Sequence, residues 1–136
     1  MPLGPPPPSF SAITGLVSDN AALTAALAAK SDKALTINAQ VGTTYTLALT
    51  DAAGLVTLDN ASSITLTVPP NASVAFAVGT QIVLAQLGAG QVTVAAGSGV
   101  TVNVRGSRNK INGQYGVASL IKTATNTWLL GGDLTT

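Results

Sequence analysis

The sequence predicts a mainly β chain. The expected fold is an antiparallel β-sandwich (jelly-roll-like) or a barrel, with a short N-terminal α-helix and an extended proline-rich arm. Three observations predict it. From residue 35 onward, short runs such as Ile64-Thr65-Leu66-Thr67-Val68 and Val100-Thr101-Val102-Asn103-Val104 alternate apolar with small polar residues. That period of two sends one set of side chains to each face of a sheet. Clusters of Gly, Asn, Asp and Pro break the runs at the spacing of short strands. No helical pattern alternates with them, which argues against βαβ units and a parallel sheet.

Taken in order, the chain divides into an arm (1–12), a short helical oligomerisation and linker segment (13–34) and a β-sandwich domain (35–136). The first ten residues hold five of the seven prolines. Pro5, Pro6, Pro7 and Pro8 must be extended, because proline fixes φ and lacks an N–H donor. Leu3 and Phe10 are the apolar anchors of such an arm on a neighbouring subunit or a capsid, and a disordered tail is the plain alternative. The stretch has neither the basic nor the apolar region of a secretory signal. No run reaches the ~18–20 apolar residues needed to span a bilayer. Synthesis in a cytoplasm without export is therefore expected.

Ser18 or Asp19 can cap a helix running from about Asn20 to Lys30. Alanine, the best helix former, dominates it. An isolated helix of about 12 residues is marginal in water, so it must pack. Its partner is either its own sheet or a symmetric bundle of its copies, and Ile13, Leu16, Leu23 and Leu27 are the candidate interface.

Strands are expected at Leu35–Gln40, Thr44–Leu49, Leu55–Leu58, Ser63–Val68, Gln81–Leu87, Gln91–Ala95, Val100–Val104, Tyr115–Lys122 and Thr127–Leu130. The alternation is cleanest between Gly79 and Val104, and no strict internal repeat is visible. Gln81–Leu87 is continuously apolar enough to be covered on both faces. Leu120-Ile121 and Trp128-Leu129-Leu130 read as core. Gly88-Ala89-Gly90 and Gly97-Ser98-Gly99 read as hairpin turns using positive φ. They are not phosphate loops, which need a lysine and a following helix.

Hydrophobic residues make up 46% of the 136 residues and charged ones only 8%, against roughly 25% in typical soluble domains. So few charges protect a monomer poorly against association, which suggests that assembly covers much of the surface. A net charge of +1 gives no electrostatic reason for a nucleic-acid or membrane partner. The chain has no Glu, His or Cys. Disulfides are excluded, and no metal, cofactor or catalytic residue is expected. Of the five aspartates, Asp19 reads as a cap and Asp51 and Asp59 as turn residues. Arg105, Arg108 and Lys110 place half of the six basic side chains in one loop. That loop is either solvated or meets an acidic neighbour or an anionic glycan. Trp128 and Tyr115 are core or interface residues, or a platform for a sugar ring. Arg105, Arg108, Lys110 and Tyr115 form the candidate surface-binding loop.

Several short motifs occur in one order: Tyr45-Thr-Leu-Ala-Leu-Thr-Asp51, Leu55-Val-Thr-Leu-Asp-Asn-Ala-Ser62, Ile64-Thr-Leu-Thr-Val-Pro-Pro70, Gly79-Thr-Gln-Ile82, Gly88-Ala-Gly-Gln-Val-Thr-Val94, Gly99-Val-Thr-Val102, Ala118-Ser-Leu-Ile-Lys122 and Trp128-Leu-Leu-Gly-Gly-Asp133. From about Thr43 to Leu134 this order resembles a β-module of tailed-bacteriophage virion proteins, found in tail fibres, head fibres and capsid-decorating proteins. Ile13-Thr-Gly-Leu16 with the Ala-rich helix resembles the helical segments that precede such modules. The resemblance implies a structural protein of the virion, usually a homotrimer, with an N-terminal attachment region and a distal β-domain. It carries over no catalytic residue. The small size points to a capsid decoration or short head-fibre protein on the major capsid protein or another virion protein. The alternative is a tail-fibre-type module that binds host surface glycan.

Overall fold

The structure, a computed structural model, describes Gly4, residues 21–31 and residues 34–136. Leu3, Pro5, Pro6, Pro7, Pro8, Phe10, Ile13 and Leu16 therefore lie outside the described residues. The chain forms two units, Met1–Ala34 and Leu35–Thr136. In the first, helix α1 spans Ala21–Ser31, one residue on from the expected span. Lys30 in its last turn complements the negative end of the helix dipole. Leu27 is half exposed, so α1 carries an apolar side chain without full cover.

The second unit has eleven strands: β1 (Ile37–Gln40), β2 (Thr44–Thr46), β3 (Leu55–Leu58), β4 (Ile64–Val68), β5 (Gln81–Gln86), β6 (Val92–Ala96), β7 (Thr101–Val104), β8 (Lys110–Ile111), β9 (Val117–Ala124), β10 (Thr127–Gly132) and β11 (Leu134–Thr135). They build two mixed sheets. The first runs β1-β3-β5-β9-β10-β7 and the second β11-β8-β6-β4-β2. One core of both sheets' inward residues lies between them, among them Val56, Leu58, Leu84 and Leu120 from the first and Ile64, Leu66, Val92 and Val94 from the second. Each fully buried aliphatic side chain contributes about 1.5–3 kcal/mol. Trp128, 1% exposed, meets Phe76 edge-on at 5.4 Å.

The mainly β, two-sheet character agrees with the sequence, but the expected antiparallel order does not. β1–β3, β3–β5, β2–β4, β4–β6 and β7–β10 are parallel pairs. Only the pairs made by β8 and β9 are antiparallel. The physical reason is the route of the chain. From β1 to β6 it alternates between the sheets, so each strand reaches its parallel neighbour through a strand in the opposite sheet. A strand does the work of the crossover that the sequence argument assigned to a helix. Ile37 faces Leu55, which faces Val83, while Thr44 faces Thr65, which faces Thr93. The coils differ in length, because a 3-10 turn (Leu49–Asp51) and the loop from Pro69 to Thr80 are inserted into two of them. Hence no period shows in the sequence.

The glycine reading changes with the topology. Gly88 and Gly90 lie between strands of opposite sheets, not in a hairpin, and their φ angles are not positive. They are glycine because the preceding coil passes against them. A Cβ on Gly90 would lie 1.9 Å from the Ser62 carbonyl oxygen, and one on Gly88 2.3 Å from that of Asn60. The Gly90 amide donates to Asn60 O at 2.8 Å, and the Asn60 side-chain amide donates to Val41 O at 2.7 Å. Three successive corners are stacked this way. Gly99 alone of these turns keeps the expected positive φ, +75°.

Other boundaries shift for local reasons. The strand expected to run to Leu49 ends at Thr46, where the chain tightens into the 3-10 turn. β8 and β11, two residues each, are too short to show alternation. β5 is covered on both faces only at Ala85, since Gln81 is exposed and Val83 half-buried. Tyr115 stands outside β9 in a loop, left-handed at φ 67° and 73% exposed, so it is not a core residue.

Candidate functional site

The two sheets present unlike outer faces. On the first, register aligns Ile37, Leu55, Val83, Ser119 and Gly131 in one row, Ala39, Thr57, Ala85 and Val117 in a second, and Gln81, Ile121, Leu129 and Asn103 in a third. No charged residue falls in any row. Ile37 is 65% exposed, and Val117, Leu129 and Ile121 are exposed too. On the second sheet the rows are Thr44, Thr65, Thr93, Lys110 and Thr135, and Thr46, Thr67 and Ala95. A threonine ladder is wetted readily and stabilised by cross-strand contacts. The first sheet's outer face is uncharged, with exposed Ile37, Val117, Ile121 and Leu129 set among Thr57, Gln81, Ser119 and Asn103.

The two ends of the sheet stack also differ. At the β1 and β2 edge, a polar network bridges the sheets. Asp51, 2% exposed, accepts from Tyr45 Oη at 2.8 Å and Ala48 N at 2.8 Å on Oδ2, and from Asn38 Nδ2 at 2.7 Å on Oδ1. Asn38 Nδ2 also lies 2.7 Å from Tyr45 Oη, and Gln40 Nε2 donates to Asn38 Oδ1 at 2.7 Å. Burial first, and then the bond to Asp51, push the Tyr45 phenol up to about 12 from its ordinary 10.0. It stays a proton donor at neutral pH. The sequence marked Asp51 as a turn residue, as it is, but gave no sign of this closure.

At the opposite edge the stack is open. A cavity of about 250 Å³ is lined by Val104 of β7, Leu130 and the Gly131-Gly132 backbone of β10, Leu134 of β11, and the exposed Arg105 and Arg108. A second cavity, about 360 Å³, shares Val104 as a lining residue and is bounded also by Val94 and Val102. Arg105 and Arg108 sit where β7 ends in a 3-10 turn whose Gly106 takes φ 63°. The four residues of the candidate loop are thus only partly brought together. Lys110 belongs to the threonine face. Tyr115 stands in the loop after β8, where its amide donates to Gln86 O at 2.7 Å. Neither of them lines the cavity.

Two buried polar residues escaped the sequence reading. Lys122, 2% exposed, donates Nζ to Asn71 Oδ1 at 2.6 Å and to Phe76 O at 2.7 Å, and stands over the Trp128 ring at 5.9 Å. It ties the loop from Pro69 to Thr80 to the core. Gln86 accepts from Val92 N at 3.0 Å and donates to Gly88 O at 3.2 Å, fixing the corner between β5 and β6. The only forewarning was position: each falls on the inward parity of its strand.

Among the described residues no three Asp, Glu, His or Cys side chains cluster as a metal would require, and no helix is long and apolar enough to cross a membrane. What the arrangement offers chemically is burial of an apolar face and attraction of an anion. No family model, curated protein or solved structure matches the chain.

Proposed function

We propose that this chain is a structural protein of a bacteriophage virion, a capsid decoration or short head-fibre protein that assembles as a homotrimer. In this reading residues 1–12 anchor on the major capsid protein or another virion protein, residues 13–34 cluster with their copies, and the β-domain projects outward. The observation that carries the reading is the uncharged outer face of the first sheet. Outer faces of antiparallel sheets in independent monomers are commonly polar, whereas this one exposes Ile37, Val117, Ile121 and Leu129 among a few uncharged polar residues and carries no charge. The motif order from Thr43 to Leu134 supports the phage assignment. Many copies on a symmetric shell supply avidity, so each anchoring contact can be weak.

Removing residues 1–10 is expected to abolish decoration of capsids lacking the protein while the β-domain's circular dichroism is unchanged. Full decoration by the truncated chain would overturn the anchoring role. Ile121→Lys with Leu129→Lys is expected to convert the assembly to monomers by light scattering. Thr65→Lys, on the opposite face, should leave its mass unchanged. A wild-type chain that is monomeric at micromolar concentration would remove the assembly claim.

A second reading, a tail-fibre-type module binding host surface glycan, is favoured by one observation. Tyr115, at the third position of the hydrogen-bonded Gly113–Gly116 turn, holds an exposed aromatic side chain on a left-handed backbone, a conformation costing a non-glycine residue on the order of 1–3 kcal/mol.

A further inference from the structure

The open end of the sheet stack has features that assembly through the first sheet does not use. Two of the chain's six basic residues, Arg105 and Arg108, border the 250 Å³ cavity. Among the described residues neither guanidinium has an ion-pair or hydrogen-bond partner on its side chain. None of the carboxylates of Asp51, Asp59 and Asp133 forms an ion pair with either arginine, although Asp133 lies between the lining residues Gly132 and Leu134. Asp51 closes the far edge. Asp133, next to Leu134 in sequence, accepts from Asn112 at 3.1 Å. Asp59 stands at the corner after β3. In a chain this poor in charge, two guanidinium groups without a bonded partner at one cavity concentrate positive potential there.

The cavity wall narrows the ligand. Val104, Leu130 and Leu134 give an apolar floor, and the Gly131-Gly132 backbone approaches without side chains. A Cβ on Gly131 would meet no atom within 4 Å, whereas one on Gly132 would lie 2.6 Å from the Ala118 Cα and from the Val117 carbonyl oxygen, so close packing on β9 holds that position to glycine. Planar guanidinium groups match a carboxylate with two parallel N–H donors. An apolar floor suits the C–H face of a sugar ring, and backbone groups suit its hydroxyls. A free phosphate would gain from the arginines but nothing from the floor. The volume lies below the roughly 300–1,000 Å³ of drug-sized pockets and is on the scale of one sugar unit.

We infer that the cavity between β7, β10 and β11 is a subsite for a carboxylated sugar unit of an acidic glycan, with Arg105 and Arg108 holding the carboxylate. This deepens the glycan reading above, on which it rests, and names the ligand class. It moves the contact from Tyr115 to the open edge.

The test is titration of the full chain with trigalacturonate and sialyllactose, alongside neutral galactose trisaccharide, acetate and inorganic phosphate. Calorimetry gives affinity, and amide shifts of Gly131 and Gly132 give location. The expected result is that at least one acidic saccharide binds about tenfold or more tightly than every control, with shifts at both glycines. Arg105→Gln and Arg108→Gln should each weaken it about tenfold, the scale of one charge-assisted hydrogen bond. Arg→Lys should recover only part of that, since a point charge lacks the fork. Both arginines are exposed, so unchanged melting curves will establish that the variants fold. Equal affinity for the neutral trisaccharide, with shifts at Tyr115, would keep a glycan role and sink this subsite. Acetate or phosphate binding as tightly as the sugars would reduce the site to bare charge attraction and overturn it. So would an absence of binding by both acidic saccharides at millimolar concentration.

Discussion

The two ends of the sheet stack solve one problem in opposite ways. A sandwich of open sheets leaves polar edges and a gap between the sheets at each end. At the β1 and β2 end the gap is filled by Asn38, Gln40, Tyr45 and Asp51, whose donors and acceptors meet one another at 2.7–2.8 Å. At the β7 and β11 end two cavities remain, and the charged residues lining one of them, Arg105 and Arg108, have no side-chain partner among the described residues. A polar group bonded within the fold stabilises it, whereas a charge left unbonded at a cavity is available to something else. The difference separates residues that hold the domain together from residues that can act for it.

The largest effect is expected from removing the acceptor at the closed end. Asp51→Ala deprives Tyr45 Oη, Asn38 Nδ2 and the Ala48 amide of their shared partner. Orphaned buried donors cost about 1–3 kcal/mol each, less what entering water restores. Destabilisation on the order of 3 kcal/mol is expected in urea unfolding. A loss below about 0.5 kcal/mol, the range of ordinary surface changes, would mean that the network is decoration.

A smaller effect tests the same end through pH. The Tyr45 phenol is raised in the folded state, from 10.0 to about 12. Folding therefore favours its protonated form. The corresponding stability is fully present below pH 10 and is lost as pH rises toward 12. Tyr45→Phe should cost about 1 kcal/mol at neutral pH and should flatten this part of the alkaline decline. Parallel declines in variant and wild type between pH 10 and 12 would assign the loss to other groups.

Much of the scaffold was legible in the sequence because strand identity is local. Ile64-Thr65-Leu66-Thr67-Val68 carries its period-two pattern whatever it pairs with, and its boundaries came within a residue. Pairing is not local. The same alternation serves a hairpin or a coil that crosses to the other sheet, and only Gly88 and Gly90 held a trace of the answer. Those two glycines fit close backbone approach as well as a turn, and the turn is the commoner meaning. The closed end was illegible for a similar reason: Asn38, Tyr45 and Asp51 are unremarkable until coiling brings them together. At the open end the basic cluster was visible, but its composition was not. Arg105 and Arg108 share a cavity, while two further residues put Lys110 on another face.

The smallest expected effect is the most discriminating for the open end. Arg105→Gln with Arg108→Gln removes two charges that bond to nothing in the described fold, so melting and urea stability should shift by no more than about 0.5 kcal/mol. Even a slight gain is consistent, because two like charges in one short loop repel each other. That gain should shrink as salt rises and screens the pair. A loss of 2 kcal/mol or more would require a partner for these guanidinium groups within the fold, on the scale of a bonded charge at the closed end. The two ends would then be alike, both built for stability, and the cavity would be only the space beside a structural ion pair. Neutrality with a salt-sensitive sign keeps the ends distinct and leaves the arginines free for a ligand.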